Sequence, residues 1–201
     1  MIYNLLLVGT GGQGIITISE ILATAAVQKN IRVIVTQDKG LAQRGGSVKA
    51  HIRFGNVYSP MIPKYSADTI ISLEIREILG YVDYINKETI LLISTKNIND
   101  METFEKEGKK LNKEEIKKLL EPIKGHILFI DTESKINGID ISKGANIYML
   151  GIMFGLDVKI QKFIIKEEII FAIKKVLRRN IEKNIKLFEE GIKISKNMKL
   201  K

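Results

Sequence analysis

Ile2-Tyr3-Asn4-Leu5-Leu6-Leu7-Val8-Gly9-Thr10-Gly11-Gly12-Gln13-Gly14 is the stretch that decides how the rest of this chain is read. Ile2 to Val8 is a short apolar run and reads as a buried strand. Gly9, Gly11 and Gly14 follow at G-x-G-x-x-G spacing, and Ile15 to Ala26 then reads as a helix. Strand, glycine turn and helix start form an anion cradle. Glycine lets the backbone take positive φ and lets a ligand come close, and the uncapped amides and dipole at a helix start favour phosphate or carboxylate. The same pattern also fits a tight strand-to-helix turn that binds nothing.

The alternation continues outward from this unit. Ile31 to Val35 reads as a second buried strand, Asp38 to Gly46 as a loop, and Ser47 to Phe54 as an alternating strand that turns at Gly55-Asn56. Asp68 to Leu73, Thr89 to Ile93 and Ile127 to Ile130 are further short strands, with a helix expected over Glu74 to Asn86. Strands alternating with helices predict an α/β protein with three α/β/α layers. The early turn at Gly55 predicts that its sheet is mixed. Residues 95–125 are polar and lysine-rich, and are expected to be a loop plus one surface helix, Asn112 to Leu120. From Gly144 the chain reads as helical. Gly144 to Leu156 is apolar almost all round and should be buried; Ile165 to Arg178 and Asn180 to Met198 are amphipathic. A chain of 201 residues with no repeat or low-complexity linker is most simply a single domain, residues 1–201.

Composition narrows the chemistry. There is no cysteine and there are only two histidines, His51 and His126, so disulfides, thiolate zinc sites and cysteine-ligated iron–sulfur clusters are excluded from this chain. No apolar run reaches membrane-spanning length, and no basic leader precedes the first strand; a cytoplasmic location is expected. The net charge of +9 is concentrated at one end: residues 158–201 hold 13 Lys/Arg against 5 Asp/Glu. These cations lie on helices and lack interleaved aromatics, so a solvated helix face accounts for them better than a nucleic-acid surface.

A second loop, Lys39-Gly40-Leu41-Ala42-Gln43-Arg44-Gly45-Gly46, sets a guanidinium beside two glycines. Arg44 offers a planar donor fork for carboxylate or phosphate, and Gly45 and Gly46 let the backbone bend around what it holds. A surface loop without a ligand is the alternative. On the following strand Ser47, Lys49, His51 and Arg53 share one face, and Val48, Ala50, Ile52 and Phe54 the other. The polar face is either solvated or lines a basic groove. No catalytic base, nucleophile or metal set stands out, which argues against a self-sufficient enzyme. The competing class is a stand-alone Rossmann-like dinucleotide-binding module or dehydrogenase, with Asp38 as the acidic ribose anchor at the end of the second strand.

Taken together, Gly9 to Ile15, Gln43 to Ser47, His51-Ile52-Arg53, Ser59-Pro60, Asp68, Glu74, Glu77, Asn146, Leu150-Gly151, Asn184, Phe188 and Gly191 resemble the gamma-type subunit or domain of the 2-oxoacid:ferredoxin oxidoreductases. Within that family, Leu41-Ala42-Gln43-Arg44-Gly45-Gly46 is most similar to the beta subunit of indolepyruvate ferredoxin oxidoreductase, which usually has Met where Leu41 stands. The lysine-rich 95–125 segment departs further from the family. The resemblance implies a fold like domain III of pyruvate:ferredoxin oxidoreductase, with C-terminal helices. It implies thiamine diphosphate and iron–sulfur clusters on a partner subunit, coenzyme A as co-substrate, and electrons passed to ferredoxin through the complex. A homodimer, or an apolar patch left open for a partner, is a further expectation. The candidate ligand-binding set is Gly9, Thr10, Gly11, Gly12, Gln13, Gly14, Gln43, Arg44, Gly45, Gly46, Ser47 and His51, with no catalytic residue and no metal ligand assigned.

Overall fold

The computed structural model describes residues 1–39, 46–96 and 113–200. Ile2–Thr10 forms β1, whose inner seven residues are all buried because both faces of the strand are covered. The chain continues through α1 (Ile15–Gln28), β2 (Val33–Lys39), β3 (Ser47–Gly55) and β4 (Thr69–Ser72). A 3-10 segment (Glu77–Tyr84), β5 (Ile90–Ser94), α2 (Lys113–Leu120) and β6 (His126–Ile130) follow. A small hairpin, β7 (Lys135–Ile136) and β8 (Ile139–Asp140), leads through a 3-10 turn (Ile141–Gly144) to α3 (Ala145–Leu156), α4 (Lys166–Val176) and α5 (Ile181–Ser195).

The six-stranded sheet has the order β2-β3-β1-β4-β5-β6. β3 is antiparallel to both β1 and β2, and every other pairing is parallel. The sheet is mixed as expected, but the antiparallel strand is β3, between β2 and β1, and no hairpin turns at Gly55. Gly55 instead donates its amide to the Arg32 carbonyl at 2.9 Å, and the chain then leaves the sheet. One sheet face buries Leu5, Leu7, Ala50, Ile52 and Ile71 against α1, α3, α4 and α5. The other buries Leu6, Val8, Ile70, Leu91 and Ile93 against the 3-10 segment and α2. This is the three-layer α/β architecture, helices on both faces of a mixed sheet.

Two expected elements differ. Over Glu74 to Asn86 the chain forms only the 3-10 segment Glu77–Tyr84. The carbonyls of Asp83 and Tyr84 accept from the amides of Tyr65 and Ala67, so they cannot extend a helix, and Ile85 is extended. The surface helix expected over Asn112 to Leu120 is described from Lys113, residues 97–112 lying outside the described residues, and it is not simply on the surface: Ile116 and Leu120 are buried in the second core. α3 is central as its composition demands, with Ile147 to Phe154 all buried. No helix among the described residues is long and apolar enough to cross a membrane.

Candidate functional site

β1, β2, β4, β5 and β6 all point one way, so their carboxyl ends share one edge of the sheet, and the start of β3 lies there too, with Thr10 opposite Ser47. From β1 the chain moves to β2 on one side, while β4, β5 and β6 lie on the other. The edge beyond β1 and β4 is therefore a topological switch point, where a crevice opens in such sheets. The glycine turn sits at that place.

The turn is built by its own residues. Gln13 folds back and its Oε1 accepts the Thr10 amide at 2.8 Å. Gly14 holds φ at +86°, the left-handed region, and is the N-cap of α1. A glycine cannot cap with a side chain, so the first-turn amides of α1 keep no side-chain partner. Gly144 is likewise the N-cap of α3, again without a side-chain cap. The two helix starts meet: Asn146 Nδ2 donates to the Gly14 carbonyl at 3.4 Å.

Between them lies a cavity of about 370 Å³, lined by Gly12, Gln13 and Gly14, by Leu73 and Ser94 at the ends of β4 and β5, and by the start of α3. Lys96 and Lys143 enter it from opposite strand and helix connections, and Asn146 and Asn184 add amide groups. Two uncapped helix starts with two ammonium groups form a positive, donor-rich pocket that suits an anion. Among the described residues no group of three His, Cys, Asp or Glu is placed to hold a metal ion.

The candidate residues divide. Gly12, Gln13 and Gly14 line the cavity. Gly9, Thr10 and Gly11 build the turn behind it, and the Gly11 amide donates to the Gly46 carbonyl at 2.9 Å. Gln43, Arg44 and Gly45 lie outside the described residues; the flanking Lys39 and Gly46 stand at the same sheet edge. Ser47 and His51 do not line the cavity, because β3 turns them to the opposite sheet face. Ser47 Oγ donates to Glu77 Oε2 at 2.6 Å. His51 is buried, edge-on to Tyr84, and its Nδ1 accepts the Ile62 amide at 3.3 Å while Nε2 has no partner. Burial, followed by the charges of Lys49 and Arg53, lowers its pKa to about 4.

The polar face of β3 buries His51 and Arg53 and leaves Ser47 and Lys49 partly exposed. The loop after Gly55 folds back over it, and Arg53 Nη1 donates to the Ser59 and Met61 carbonyls at 2.8 and 3.0 Å. Glu74, at the end of β4 on this side, is buried beside Arg76, and burial raises its pKa. Sequence reasoning missed Lys96, Ser142 and Lys143 as cavity residues. The signal for two of them was Ser142-Lys143-Gly144 before an apolar helix, the same glycine-then-helix pattern as at Gly14.

The site also separates the two function classes. In a dinucleotide-binding sheet the second strand runs beside the first, which brings the acidic anchor to the glycine turn. Here β3 stands between β1 and β2. Asp38 is therefore two strand spacings, about 10 Å, from the end of β1, and its exposed carboxylate pairs with Lys49 at 3.2 Å. The geometry does not build a ribose anchor.

Fold and site thus define a mixed α/β domain with a cationic cavity at its switch point. The family model for pyruvate ferredoxin/flavodoxin oxidoreductase matches residues 4–194, and the chain belongs to that family. It is 32% identical to indolepyruvate oxidoreductase subunit IorB of Pyrococcus horikoshii, over 98% of this chain and 97% of that one. It is 44% identical to the subunit of the same name from Archaeoglobus fulgidus over 95 residues, a match that takes in 47% of each chain. The gamma subunit of keto/oxoacid ferredoxin oxidoreductase from Geobacter sulfurreducens has the same fold, with a TM-score of 0.65 at 20% identity and 98% coverage of both chains.

Proposed function

We propose that this chain is a subunit of a 2-oxoacid:ferredoxin oxidoreductase, acting on indolepyruvate or a related aryl pyruvate. It carries no redox centre and helps form the site where the 2-oxoacid becomes an acyl-CoA. The observation that carries this reading is the cavity at the glycine turn, in a chain similar over nearly its full length to indolepyruvate oxidoreductase subunits.

The residues present do not fit a resident cluster or metal: the chain has no cysteine, and the cavity is lined by amides, hydroxyls and ammonium groups. They do fit an anionic group of a substrate. Iron–sulfur clusters and thiamine diphosphate, which supplies the decarboxylation chemistry, are assigned to the partner subunit. This chain's part is positioning. The α1 and α3 amides and Lys96 and Lys143 hold a phosphate of coenzyme A or the carboxylate of the 2-oxoacid, and the guanidinium of Arg44 is assigned to the same group on its chemistry. Ser47 supports that edge from behind, while His51 sits further along β3, opposite Leu6, and packs beneath Tyr84.

The test is reconstitution. The isolated chain gives no turnover with indolepyruvate, coenzyme A and ferredoxin. Turnover appears when the thiamine- and cluster-bearing subunit of the same source is added. Activity from the pure chain without thiamine diphosphate would overturn the subunit reading.

A further inference from the structure

A second cationic surface lies outside the glycine-turn cavity. Lys135 of β7, Lys143, and Lys183 and Lys186 of α5 surround a shallow cavity of about 430 Å³ at the β7–β8 hairpin. Lys183 also borders a third concavity at the α4–α5 turn, with Lys174, Arg178 and Arg179. Lys143 in turn lines the glycine-turn cavity. The three depressions are thus joined by shared lysines into one band.

The band's seven cations outnumber the two carboxylates that line it, Asp140 and Glu182. Lys143 stands 3.7 Å from Asp140, but none of the other six cations has an ion-pair partner among the described residues. Asp140 is itself used to cap the 3-10 turn, accepting from the amide and hydroxyl of Ser142. Some surface lysines outside the band are paired, as in Lys29–Glu168, Lys64–Asp83 and Lys166–Glu189. Lys183 sits in the first turn of α5 beside Glu182, and Asn180 does not cap that helix with its side chain. Like charges gathered on rigid elements raise the local positive potential, which attracts an acidic surface.

We propose that this band is the docking face for an acidic surface of the thiamine- and cluster-bearing subunit. The inference rests on the subunit reading above. Breadth and shallowness fit a protein surface bearing several carboxylates rather than one small ligand. The lining of the two outer depressions holds no aromatic side chain, which disfavours single-stranded nucleic acid, whose bases stack on such rings. Because Lys143 belongs to both regions, a partner seated here would also wall the open side of the glycine-turn cavity, placing two chains around one site.

The experiment measures association of this chain with that subunit by analytical ultracentrifugation, for the wild type, for Lys183→Glu/Lys186→Glu, and for Lys87→Glu at the opposite sheet edge. The double reversal should raise Kd at least about tenfold, and Lys87→Glu should leave it unchanged. Wild-type Kd should rise steeply as KCl goes from about 0.05 to about 0.5 M. Circular dichroism should show that the double variant is folded, since Glu near the start of α5 agrees with the dipole. If the wild type binds and the folded double variant binds equally well, the docking face is wrong and the subunit reading survives. If the wild type does not bind the subunit at all, the subunit reading fails and the docking face with it. Tight binding of a labelled oligonucleotide, abolished by the double reversal while subunit binding is untouched, would reassign the band to nucleic acid.

Discussion

The amide of Gly11 donates to the carbonyl of Gly46 at 2.9 Å, so the glycine turn after β1 is tied to the last residue of the β2–β3 connection. Gly11 and Gly46, far apart in sequence, meet at one end of the sheet. β3 makes this possible by running against β1, which places its start beside the end of β1.

The first prediction follows from that tie. Arg44 belongs to the connection that ends at Gly46. Arg44→Lys keeps the charge and loses the bidentate fork. In the reconstituted complex it should raise the KM for one anionic substrate, coenzyme A or the 2-oxoacid, by about tenfold, because charge-assisted hydrogen bonds are worth about 1.5–3 kcal/mol. Thermal stability should be unchanged. Unaltered kinetics for both substrates would remove Arg44 from the site.

The contact between Gly14 and Asn146 gives the second. A Cβ on Gly14 would lie 2.3 Å from Asn146 Nδ2, and φ there is +86°. Gly14→Ala should cost about 1–2 kcal/mol from the left-handed backbone alone, with a steric part added. Asn146→Ala in the same chain should recover the steric part and leave the backbone part, a coupling that a double-mutant cycle in urea would read directly. Strict additivity of the two would show that the helix starts do not meet as described.

The α3–α5 crossing gives the third. A Cβ on Gly151 would lie 2.1 Å from the Phe188 carbonyl oxygen, and one on Gly191 would lie 2.4 Å from the Tyr148 carbonyl oxygen. Each glycine admits the backbone of the other helix. Gly151→Ala or Gly191→Ala should therefore destabilise by about 2–3 kcal/mol, read as a lower urea midpoint. Since α3 begins at the cavity and α5 carries Asn184 into it, both variants should also weaken substrate binding in the complex.

Much of this was legible in the sequence for a physical reason. β1 is buried on both faces, so its composition is unambiguous, and Val48, Ala50, Ile52 and Phe54 alternate cleanly because one face meets the main core. Gly14 marked the turn because glycine takes the left-handed φ readily and leaves room for Asn146. What was not legible is non-local. His51 and Arg53 look like an exposed polar stripe until the loop after Gly55 covers them, and nothing in the strand itself encodes that cover. Lys96 and Lys143 reach the cavity only through the placement of β5 and α3, from segments about 80 and 130 residues past the glycine turn. The exclusion of Asp38 depends on strand order, which local pattern does not fix.

The last prediction concerns His51. Its imidazole is buried with Nδ1 accepting the Ile62 amide, which leaves the hydrogen on Nε2, a donor with no partner. A proton on Nδ1 would break the Ile62 bond and place a cation beneath Tyr84, near Lys49 and Arg53. The pKa accordingly falls to about 4 in the folded chain, against about 6.5 when unfolded. Because the folded value is the lower one, the unfolded chain binds the extra proton first as pH falls. The stability held by neutral His51 is complete above about pH 6.5, and is lost progressively down to about pH 4. Between pH 7 and pH 5 the loss should be about 2 kcal/mol from this group. The measurement is urea denaturation at both pH values, for the wild type and for His51→Gln, whose amide can still meet the Ile62 N–H but does not titrate. The variant should show a pH dependence smaller by that amount. If wild type and variant lose stability in parallel, His51 is not the titrating group and its imidazole is hydrated in solution.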